Sequence, residues 1–400
     1  MKKTFIVSLF FVFVFTVSNN TAFAATTPTI VYKAKSALLD ISCVGKKCVS
    51  VGNNLVVQSV DKGVTWKTVF SKKIGSNNGG SSLEDVDCIG TLCIASGQGG
   101  KILRSSDSGK NWAIIDTILS KAHKDFFPSF ISGVNCIDEK LCYAIGGNFH
   151  SGGDIKKFDK AFGTVILKTT DGGITWNTEK FEKATFNYPA PNLSQTSQSD
   201  VFELKYKSTD EFPLRLMKKI LCKNKTECFA IGQSRSVFHT TDGWKTVTLQ
   251  QFKVDETKTF DDNGNLIKPK NPQKVAIYDF SGISFTKDGG VIVEEIGNGH
   301  RFVYKSTDNG ATWKSISVPL SASSRNNEGK IACSQATCVI TAQNLPANKV
   351  DILTSVDNGD TWKYQTFKKS MGIYGSACID SNNCFAVGDL NPQGVVLKVR

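Results

Sequence analysis

The sequence predicts an all-β protein, a seven-bladed β-propeller with four-stranded blades in which an N-terminal strand closes the last blade. Three observations predict this fold. Paired cysteines recur along the chain, acidic turns ending in tryptophan alternate with them, and the segments between are short runs rich in β-branched residues. No segment has the sustained 3.6-residue period of a helix. A repeat of roughly 45 residues that holds four short strands is typical of a propeller blade.

The first element is an expected leader. Lys2 and Lys3 precede an apolar run over 5–17, and Ala22-Phe23-Ala24 follows a polar stretch. This order is typical of a secretory signal peptide cleaved after Ala24, and the run is shorter than the roughly 20 residues that span a bilayer. We therefore expect a signal peptide at 1–24 and a single propeller at 25–400. The protein would be periplasmic or extracellular, and peripheral to a membrane at most.

The charge balance narrows the class of partner. The chain has 48 Lys and Arg against 36 Asp and Glu, a net charge of +12, yet only six of the basic residues are arginine. Nucleic-acid readout favours the guanidinium fork over the lysine ammonium. We therefore expect no nucleic-acid partner and a lysine-rich surface that suits an acidic protein or an acidic envelope polymer.

The cysteines form six pairs, each five or six residues apart in a short apolar alternation. In an exported protein such pairs favour disulfides, each across its own hairpin. The alternative, zinc, would need two pairs to converge on one ion, and separate blades keep them apart. The four histidines show no ligand spacing, so we expect no metal and no other cofactor. The pairs are Cys43 with Cys48, Cys88 with Cys93, Cys136 with Cys142, Cys222 with Cys228, Cys333 with Cys338 and Cys378 with Cys384.

The second repeated pattern, which we call the acidic turn, reads S/T-x-D-x-G-x-T-W with small variations. Its aspartate can accept backbone N–H bonds in a tight turn, its glycine tolerates positive φ, and its tryptophan returns as an apolar wedge against the neighbouring sheet. A shortened form is expected at 240–244. The aspartates and tryptophans are Asp61 and Trp66, Asp107 and Trp112, Asp171 and Trp176, Asp242 and Trp244, Asp308 and Trp313, and Asp357 and Trp362.

The acidic turn resembles the Asp box, or bacterial neuraminidase repeat, and all six tryptophans lie in these turns. The resemblance covers nearly the whole mature chain and implies a propeller without implying an activity. The chain as a whole resembles the photosystem II stability and assembly factor-like proteins. That resemblance implies an exported seven-bladed propeller that binds proteins during assembly of membrane complexes. The family's binding face is arginine-rich, whereas this chain is poor in arginine and adds the cysteine hairpins.

The blade count follows from one blade without cysteines. Ile283-Ser284-Phe285 stands where Ile41-Ser42-Cys43 stands in the first blade, and Val293–Gly297 replaces the second-strand cysteine segment. The last blade, from Cys378, has no acidic turn. We expect Thr29–Lys33 to supply its missing strand, because closing the ring removes an open sheet edge.

The long insertions predict where a partner binds. Cysteine turns and acidic turns should share one face of the disc, while the insertions 117–130, 147–162, 177–215 and 247–278 fall on the other. Long loops over a rigid scaffold are the default binding face. Aromatic rings suit a protein or a sugar; the alternative is that they pack their own loops. Asp261–Asn265 reads as a hairpin turn rather than a calcium loop. The candidate binding residues are Phe126, Phe127, Phe149, His150, Phe186 and Tyr188.

The sequence favours a binding protein over an enzyme. Sialidases use an arginine triad and an R-I-P motif, and this chain has neither. Xyloglucan hydrolases pair two seven-bladed rings, and one ring is present here. No two carboxyl groups are marked as the facing pair that glycoside hydrolysis needs, so no catalytic residue is assigned. We expect a monomeric protein-binding scaffold; the alternative is a carbohydrate-binding propeller or a glycoside hydrolase related to sialidase-type Asp-box enzymes.

Overall fold

The computed structural model is a ring of antiparallel sheets around an axial channel. The expected signal peptide, 1–24, lies outside the described part of the chain. The described residues are 27–74, 82–117, 129–148, 165–179, 201–207, 217–232, 236–252, 259–260, 266–267, 279–297, 300–318, 330–344 and 348–400.

Each blade runs outward from a first strand at the axis to a last strand at the rim, and β1 (Thr29–Ala34) precedes them all. Blade 1 comprises β2 (Leu38–Val44), β3 (Lys47–Gly52), β4 (Leu55–Ser59) and β5 (Lys67–Phe70); blade 2 comprises β6 (Leu83–Ile89), β7 (Leu92–Gly97), β8 (Lys101–Ser105) and β9 (Ala113–Asp116); blade 3 comprises β10 (Ser129–Cys136), β11 (Cys142–Asn148), β12 (Val165–Thr169) and β13 (Asn177–Thr178).

The remaining blades keep this plan with two additions, a fifth strand in blade 4 and a small hairpin after it. Blade 4 comprises β14 (Val201–Lys207), β15 (Met217–Cys222), β16 (Cys228–Gly232), β17 (Ser236–Thr240) and β18 (Thr246–Phe252), and the hairpin is β19 (Thr259–Phe260) with β20 (Leu266–Ile267). Blade 5 comprises β21 (Asp279–Phe285), β22 (Val291–Gly297), β23 (His300–Ser306) and β24 (Lys314–Ser317); blade 6 comprises β25 (Lys330–Ser334), β26 (Thr337–Asn344), β27 (Lys349–Ser355) and β28 (Lys363–Phe367); blade 7 contains β29 (Gly372–Asp380), β30 (Asn383–Leu390) and β31 (Gln393–Lys398).

The N-terminal strand completes blade 7, as the sequence predicts. β1 pairs antiparallel with β31, from Thr29 opposite Lys398 to Ala34 opposite Gly394. The C-terminal end of the chain folds back on the same blade, where the carbonyl of Arg400 accepts the amide of Cys384 at 3.1 Å. The fold is therefore all-β with seven blades, and strands from both ends of the chain join in one sheet.

The core is divided into seven apolar clusters, one between each pair of neighbouring blades. Six of them include the tryptophan of the following blade's acidic turn. Trp66, for example, meets Phe385 of blade 7 edge-on with ring centroids 6.1 Å apart. The cluster between blades 6 and 7 contains Met371 and Val399 instead. Aromatic wedges thus hold the blades to one another.

Disulfide bonds join the six cysteine pairs, each across the hairpin between the first two strands of a blade. This pairing is the one that the sequence predicts for all twelve cysteines. The bonds are Cys43–Cys48, Cys88–Cys93, Cys136–Cys142, Cys222–Cys228, Cys333–Cys338 and Cys378–Cys384.

The two cysteines of a bond differ in their surroundings, a difference that the sequence does not predict. The second cysteine of each pair lies on the second strand and is buried between blades. Cys93 packs in the cluster between blades 1 and 2, and Cys338 packs in the cluster between blades 5 and 6. Their bonded partners, Cys88 and Cys333, are only half-buried near the axis. In five blades the bond therefore joins a half-buried cysteine to a fully buried one, while in blade 3 Cys136 is buried as well as Cys142.

Blade 5 has no disulfide, and an apolar pair takes its place. In blade 1, Cys43 lies directly opposite Cys48 in the ladder. In blade 5, Phe285 lies directly opposite Val291. The correspondence confirms the assignment of a cysteine-free blade.

The insertions are shorter than the sequence predicts. Part of the segment expected as a loop at 177–215 is β14, which pairs with β18 and extends blade 4. The insertion expected to start at 247 starts after Phe252, because β18 continues to that residue. Backbone pairing between β14 and β18 satisfies polar groups that a loop would leave to water. Thr259 and Phe260 pair with Ile267 and Leu266, and the turn expected at 261–265 lies outside the described residues.

Candidate functional site

The cysteine turns and the acidic turns lie on one face of the ring, which we call the hairpin face. In blade 1 the amide of Lys62 in the acidic turn donates to the carbonyl of Lys46 in the cysteine turn at 2.8 Å. In blade 2 Ser108 donates to Thr91 in the same way at 2.7 Å. The opposite face, which we call the loop face, carries the connections between blades and the turns between second and third strands.

The aspartate of each acidic turn is used inside its own turn. Asp61 accepts the amide of Thr65 at 2.9 Å and the hydroxyl of Thr65 at 2.5 Å. The hydrogen bonds from Thr65 hold the pKa of Asp61 down at about 2. Each such carboxylate is therefore committed to its turn. The same bond from the residue four positions later recurs at Asp107, Asp171, Asp242, Asp308 and Asp357.

The glycine of the acidic turn makes the contact with the preceding blade. Gly109 has φ 84°, a conformation that a side chain disfavours. A Cβ atom there would also lie 2.7 Å from a methyl group of Val49 in blade 1. The glycine thus permits both the turn and the close approach of two blades.

Blade 4 departs from the shortened turn that the sequence predicts. Its turn has full length, because Thr246 donates to Asp242 as Thr65 does to Asp61. Trp244 occupies the glycine position with φ 72°, and its amide donates to Thr240 Oγ1 at 3.0 Å. Its ring is completely buried between blades 3 and 4. Burial of the indole offsets the unfavourable backbone conformation.

Polar contacts on the hairpin face join neighbouring blades. Lys62 of blade 1 pairs with Asp380 of blade 7 at 3.1 Å, and Lys305 of blade 5 pairs with Asp360 of blade 6 at 3.0 Å. Between blades 2 and 3, Thr91 donates its hydroxyl to Glu139 at 2.7 Å. These contacts hold neighbouring blades together at the hairpin face, whose acidic turns also present exposed apolar side chains such as Val64.

The candidate binding residues predicted from the sequence belong to connections of the loop face. Phe126, Phe127, Phe149, His150, Phe186 and Tyr188 all lie outside the described residues. The strands that flank these connections, such as β9 and β10, end at the loop face. The prediction that this face binds a partner therefore stays a prediction.

Where the loop face is described, it is rich in lysine. Lys35 follows β1, Lys72 and Lys73 follow β5, and Lys368 and Lys369 follow β28, and all five are exposed. These connections neighbour one another around blades 6, 7, 1 and 2. The lysine excess seen in the composition thus includes a basic sector of this face.

The axial channel is lined by the first strands, and most of them carry a β-bulge at the same level. The register shifts between Leu38 and Asp40 in blade 1, and shifts equivalently in blades 2, 3, 4, 5 and 7. The residue just after the shift lies three positions before the first cysteine or its substitute. These residues, with their counterpart in blade 6, form what we call the axial ring: Asp40, Asp85, Gly133, Lys219, Gly282, Lys330 and Gly375.

The charged members of the axial ring pair across the channel. Lys219 of blade 4 contacts Asp85 of blade 2 and lies 3.5 Å from Asp40 of blade 1, while Lys330 of blade 6 lies 2.8 Å from Asp40. Burial opposes the charge of Asp40, but Lys219 and Lys330 outweigh it and hold the pKa of Asp40 below its usual value. The three glycines allow neighbouring first strands to approach closely, because a Cβ at Gly133, Gly282 or Gly375 would lie within about 3.1 Å of the next blade's backbone.

A second ring lies one residue before each first cysteine, and we call it the belt. Its polar members accept the amide of the next blade's cysteine: Ser42 from Cys88 at 3.1 Å, Asp87 from Cys136 at 2.7 Å and Asn135 from Cys222 at 2.8 Å. Ser284 accepts from Cys333 at 3.1 Å. The belt thus joins neighbouring blades close to the axis.

Sequence reasoning missed both rings. A signal was present, because counting back from the paired cysteines aligns two aspartates and two lysines at one position of the blade. Without the closed ring, nothing in the repeat showed that these side chains meet across the axis.

Metal clusters and membrane-spanning helices are both absent from the described residues. No three His, Cys, Asp or Glu side chains there converge as a group that could hold a metal ion. The same part of the chain contains no helix with the length and apolarity to cross a membrane.

Comparison with known proteins identifies similar folds. YCF48 bound to D1 peptide matches with a TM-score of 0.54 and 15% identity, covering 95% of this chain and 96% of that chain. YCF48 from Cyanidioschyzon merolae matches with a TM-score of 0.51 and 16% identity, covering 94% and 99%. No family model and no curated protein matches the sequence.

A glycoside hydrolase also shares the fold. The GH74 xyloglucanase from Xanthomonas campestris matches with a TM-score of 0.51 and 10% identity over 88% of this chain. This chain covers 51% of the xyloglucanase, about half its length. At such identities the similarity is one of fold, and it is shared by a peptide-bound protein and an enzyme.

Proposed function

We propose that the protein is an exported, non-catalytic β-propeller that binds a protein partner through its loop face. The observation that carries this proposal is a structural difference between the two faces of the ring. On the hairpin face, the acidic-turn carboxylates and several charged side chains are used in turn and blade-to-blade contacts. Long connections leave and re-enter the ring at the other face, which is the arrangement of a scaffold that presents variable loops.

The charge and the fold neighbours support a protein as the partner. The basic sector around Lys35, Lys72 and Lys368 suits an acidic protein surface. One solved propeller of similar fold is bound to a D1 peptide. The geometry of the acidic turns agrees with the Asp-box resemblance, and the proposed class is that of an assembly or interaction scaffold.

Two features of the chain support export, its leader and its disulfide bonds. The leader at 1–24 has the order of a secretory signal. Six disulfide bonds favour an oxidising compartment. Sequencing the N-terminus of protein recovered from the native host tests this part, and a start at Ala25 is expected. Recovery of the uncleaved chain from a reducing cytoplasm would contradict it.

Photo-crosslinking in native envelopes tests the binding face. Probes at Phe127 and Tyr188 should yield reproducible protein adducts. A probe at Val64, which is 74% exposed on the hairpin face, is the matched control and should yield none. Protein adducts from Val64 alone would contradict the assignment of the face. Glycan adducts from the loop probes would favour the alternative, a carbohydrate-binding propeller, and would justify a glycosidase screen.

A further inference from the structure

The belt contains one charge that its structural role does not require. Ser42, Asn135 and Ser284 accept the next blade's cysteine amide with neutral oxygens. Asp87 does the same work in blade 2 with a carboxylate, which accepts from Cys136 and from the side-chain amide of Asn135 at 2.9 Å. Because neutral residues suffice in three other blades, the charge of Asp87 calls for a separate explanation.

No basic side chain among the described residues forms an ion pair with Asp87. The lysines of the axial ring pair with Asp40 and Asp85 instead. The remaining oxygen, Asp87 Oδ1, accepts a long hydrogen bond of 3.4 Å from Ser42 Oγ. Burial, together with the nearby charge of Asp40, raises the pKa of Asp87 to about 7. A carboxylate in this position is stabilised by any cation that reaches it.

Asp87 lies in the wall of the axial cavity. The cavity has a volume of about 140 Å³ and is lined by residues from all seven first strands. Among the charged axial-ring side chains, the carboxylates of Asp40 and Asp85 are buried, with 6% to 7% exposure. The two lysines and the belt residues Asp87 and Asn135 are half-buried. The belt residues line the cavity on the hairpin-face side of the axial ring.

The wall of the cavity contains a second polar group of interest, the hydroxyl of Ser281. Ser281 lines it, is 9% exposed, and its hydroxyl has no hydrogen-bond partner in the structure. A buried hydroxyl without a partner costs about 1 to 3 kcal/mol.

We propose that the axial cavity binds a compact organic cation, an ammonium or guanidinium group, whose N–H groups donate to Asp87. The cavity is large enough for a group of this size. The axial ring carries two lysines and two aspartates, and Asp87 adds a further carboxylate to this set. A metal ion is a poorer fit, since no cluster of three ligating side chains occurs among the described residues.

The cation has two possible sources, a free small molecule or a basic side chain carried on a peptide. Methylguanidinium and methylammonium probe the first source. A blocked tripeptide, acetyl-Gly-Arg-Gly-amide, probes the second. Binding of the small cations alone assigns the site to a free ligand, and comparable binding of the tripeptide assigns it to a side chain. Both results support the shared chemistry.

Isothermal titration of the mature chain with methylguanidinium is the decisive experiment. Saturable binding at one site is expected, weakened at least about tenfold in Asp87→Asn. The amide oxygen of an asparagine at position 87 can accept the Cys136 amide, just as the Asn135 side chain accepts the Cys222 amide. The fold should therefore be retained, and an unchanged circular dichroism spectrum would show this. Asp116→Asn removes one carboxylate from the loop face and should leave the affinity unchanged. Equal affinity of Asp87→Asn and the parent, or equal displacement by potassium, would overturn the proposal.

The pH dependence gives an independent readout. Cation binding favours the ionised carboxylate, so affinity should fall about tenfold per unit as pH drops below about 7 and level off above it. The charged groups that face Asp87 are Asp40, Asp85, Lys219 and Lys330. Burial lowers the pKa of Lys219, so its own titration would persist in Asp87→Asn, and the difference between the two profiles isolates Asp87. Identical profiles would contradict the assignment.

Discussion

Aspartates serve two opposite purposes in this protein, and their surroundings decide which. In an acidic turn the carboxylate of Asp171 accepts the amides of Ile174 and Thr175 and the hydroxyl of Thr175. Although burial opposes the charge, these bonds lower the pKa of Asp171 to about 2. In the belt, burial raises the pKa of Asp87 to about 7. The first group stabilises the fold when ionised, and the second when protonated.

Asp171→Ala should lower the free energy of unfolding by about 1 to 2 kcal/mol at pH 7, because the turn loses its acceptor. Urea denaturation measures the change. The loss should shrink as pH falls from about 4 toward 2, where the parent carboxylate also becomes protonated. The control Asp116→Ala removes an aspartate that is 60% exposed and 3.7 Å from Lys101, and should cost less than about 0.5 kcal/mol. Equal losses in both variants would contradict a structural role for the turn.

Asp87→Asn should stabilise the fold at pH 8 and leave it nearly unchanged at pH 4. With a folded-state pKa of about 7 against 3.8 unfolded, the native state binds the extra proton, so stability falls as pH rises from about 4 to 7. The shift corresponds to about 4 kcal/mol, and partial solvent exposure reduces the expected gain to roughly 2 kcal/mol. Thermal melting across this range measures it. A variant less stable than the parent at pH 8 would show that the charge is needed for folding.

At the scale of elements, the hairpin of blade 5 shows what the disulfides replace. Phe285 and Val291 lie directly opposite one another, six residues apart, as Cys136 and Cys142 do. Phe285 also packs against Phe229 of blade 4 with ring centroids 6.3 Å apart. Packing therefore performs in this blade the work that a covalent bond performs in the other six.

Phe285→Cys with Val291→Cys should form a seventh disulfide. Intact mass should lie about 14 Da below that of the fully reduced variant, about 2 Da for each of seven bonds, and no thiol should react after unfolding. The closed loop adds about 2 kcal/mol in the chain-entropy model, while the lost ring removes about 3 kcal/mol of packing, so net stability should stay within about 1 kcal/mol of the parent. The single variant Phe285→Cys lacks the bond and should be clearly less stable. Two reactive thiols in the double variant would show that the register differs.

Local elements were the predictable part of this fold. Each cysteine pair and each acidic turn marks a hairpin within a few residues of sequence, so strand order, the cysteine-free blade and the closing strand followed from the repeat. β14 was missed because its partner β18 comes after a whole blade, and pairing over that distance leaves no local pattern. The position of Trp244 was missed because the turn tolerates tryptophan where glycine is usual.

At the scale of the whole molecule, the axial ring joins parts of the chain that no repeat connects. Lys219 and Asp40 are separated by 179 positions, and Lys330 and Asp40 by 290. The sequence places these residues in three different blades, and only ring closure brings them together. The candidate loop residues, from Phe126 to Tyr188, are outside the described residues, so their part of the site stays a prediction.

Lys219→Met should destabilise the protein by about 3 kcal/mol or more, because Asp85 is left buried without its partner. Adding Asp85→Asn should recover part of the loss, since the unpaired charge is then gone. Equilibrium unfolding of the single and double variants forms the test. The matched change Lys218→Met removes an exposed pair with Asp279 and should cost less than about 1 kcal/mol. Equal effects at 218 and 219 would mean that the ring does not couple the blades.

The pairing of β1 with β31 also affects the order in which the blades can form during synthesis. A chain that emerges N-terminus first presents β1 long before its partner exists. The disulfide hairpins and the first six blades can form one after another as their residues appear, since each needs only nearby sequence. The closing sheet must wait for the final residues, and until then the ring is an open arc with two bare blade surfaces. Any chaperone that attends this protein during synthesis or secretion should therefore act on the arc and release it when the last strand arrives.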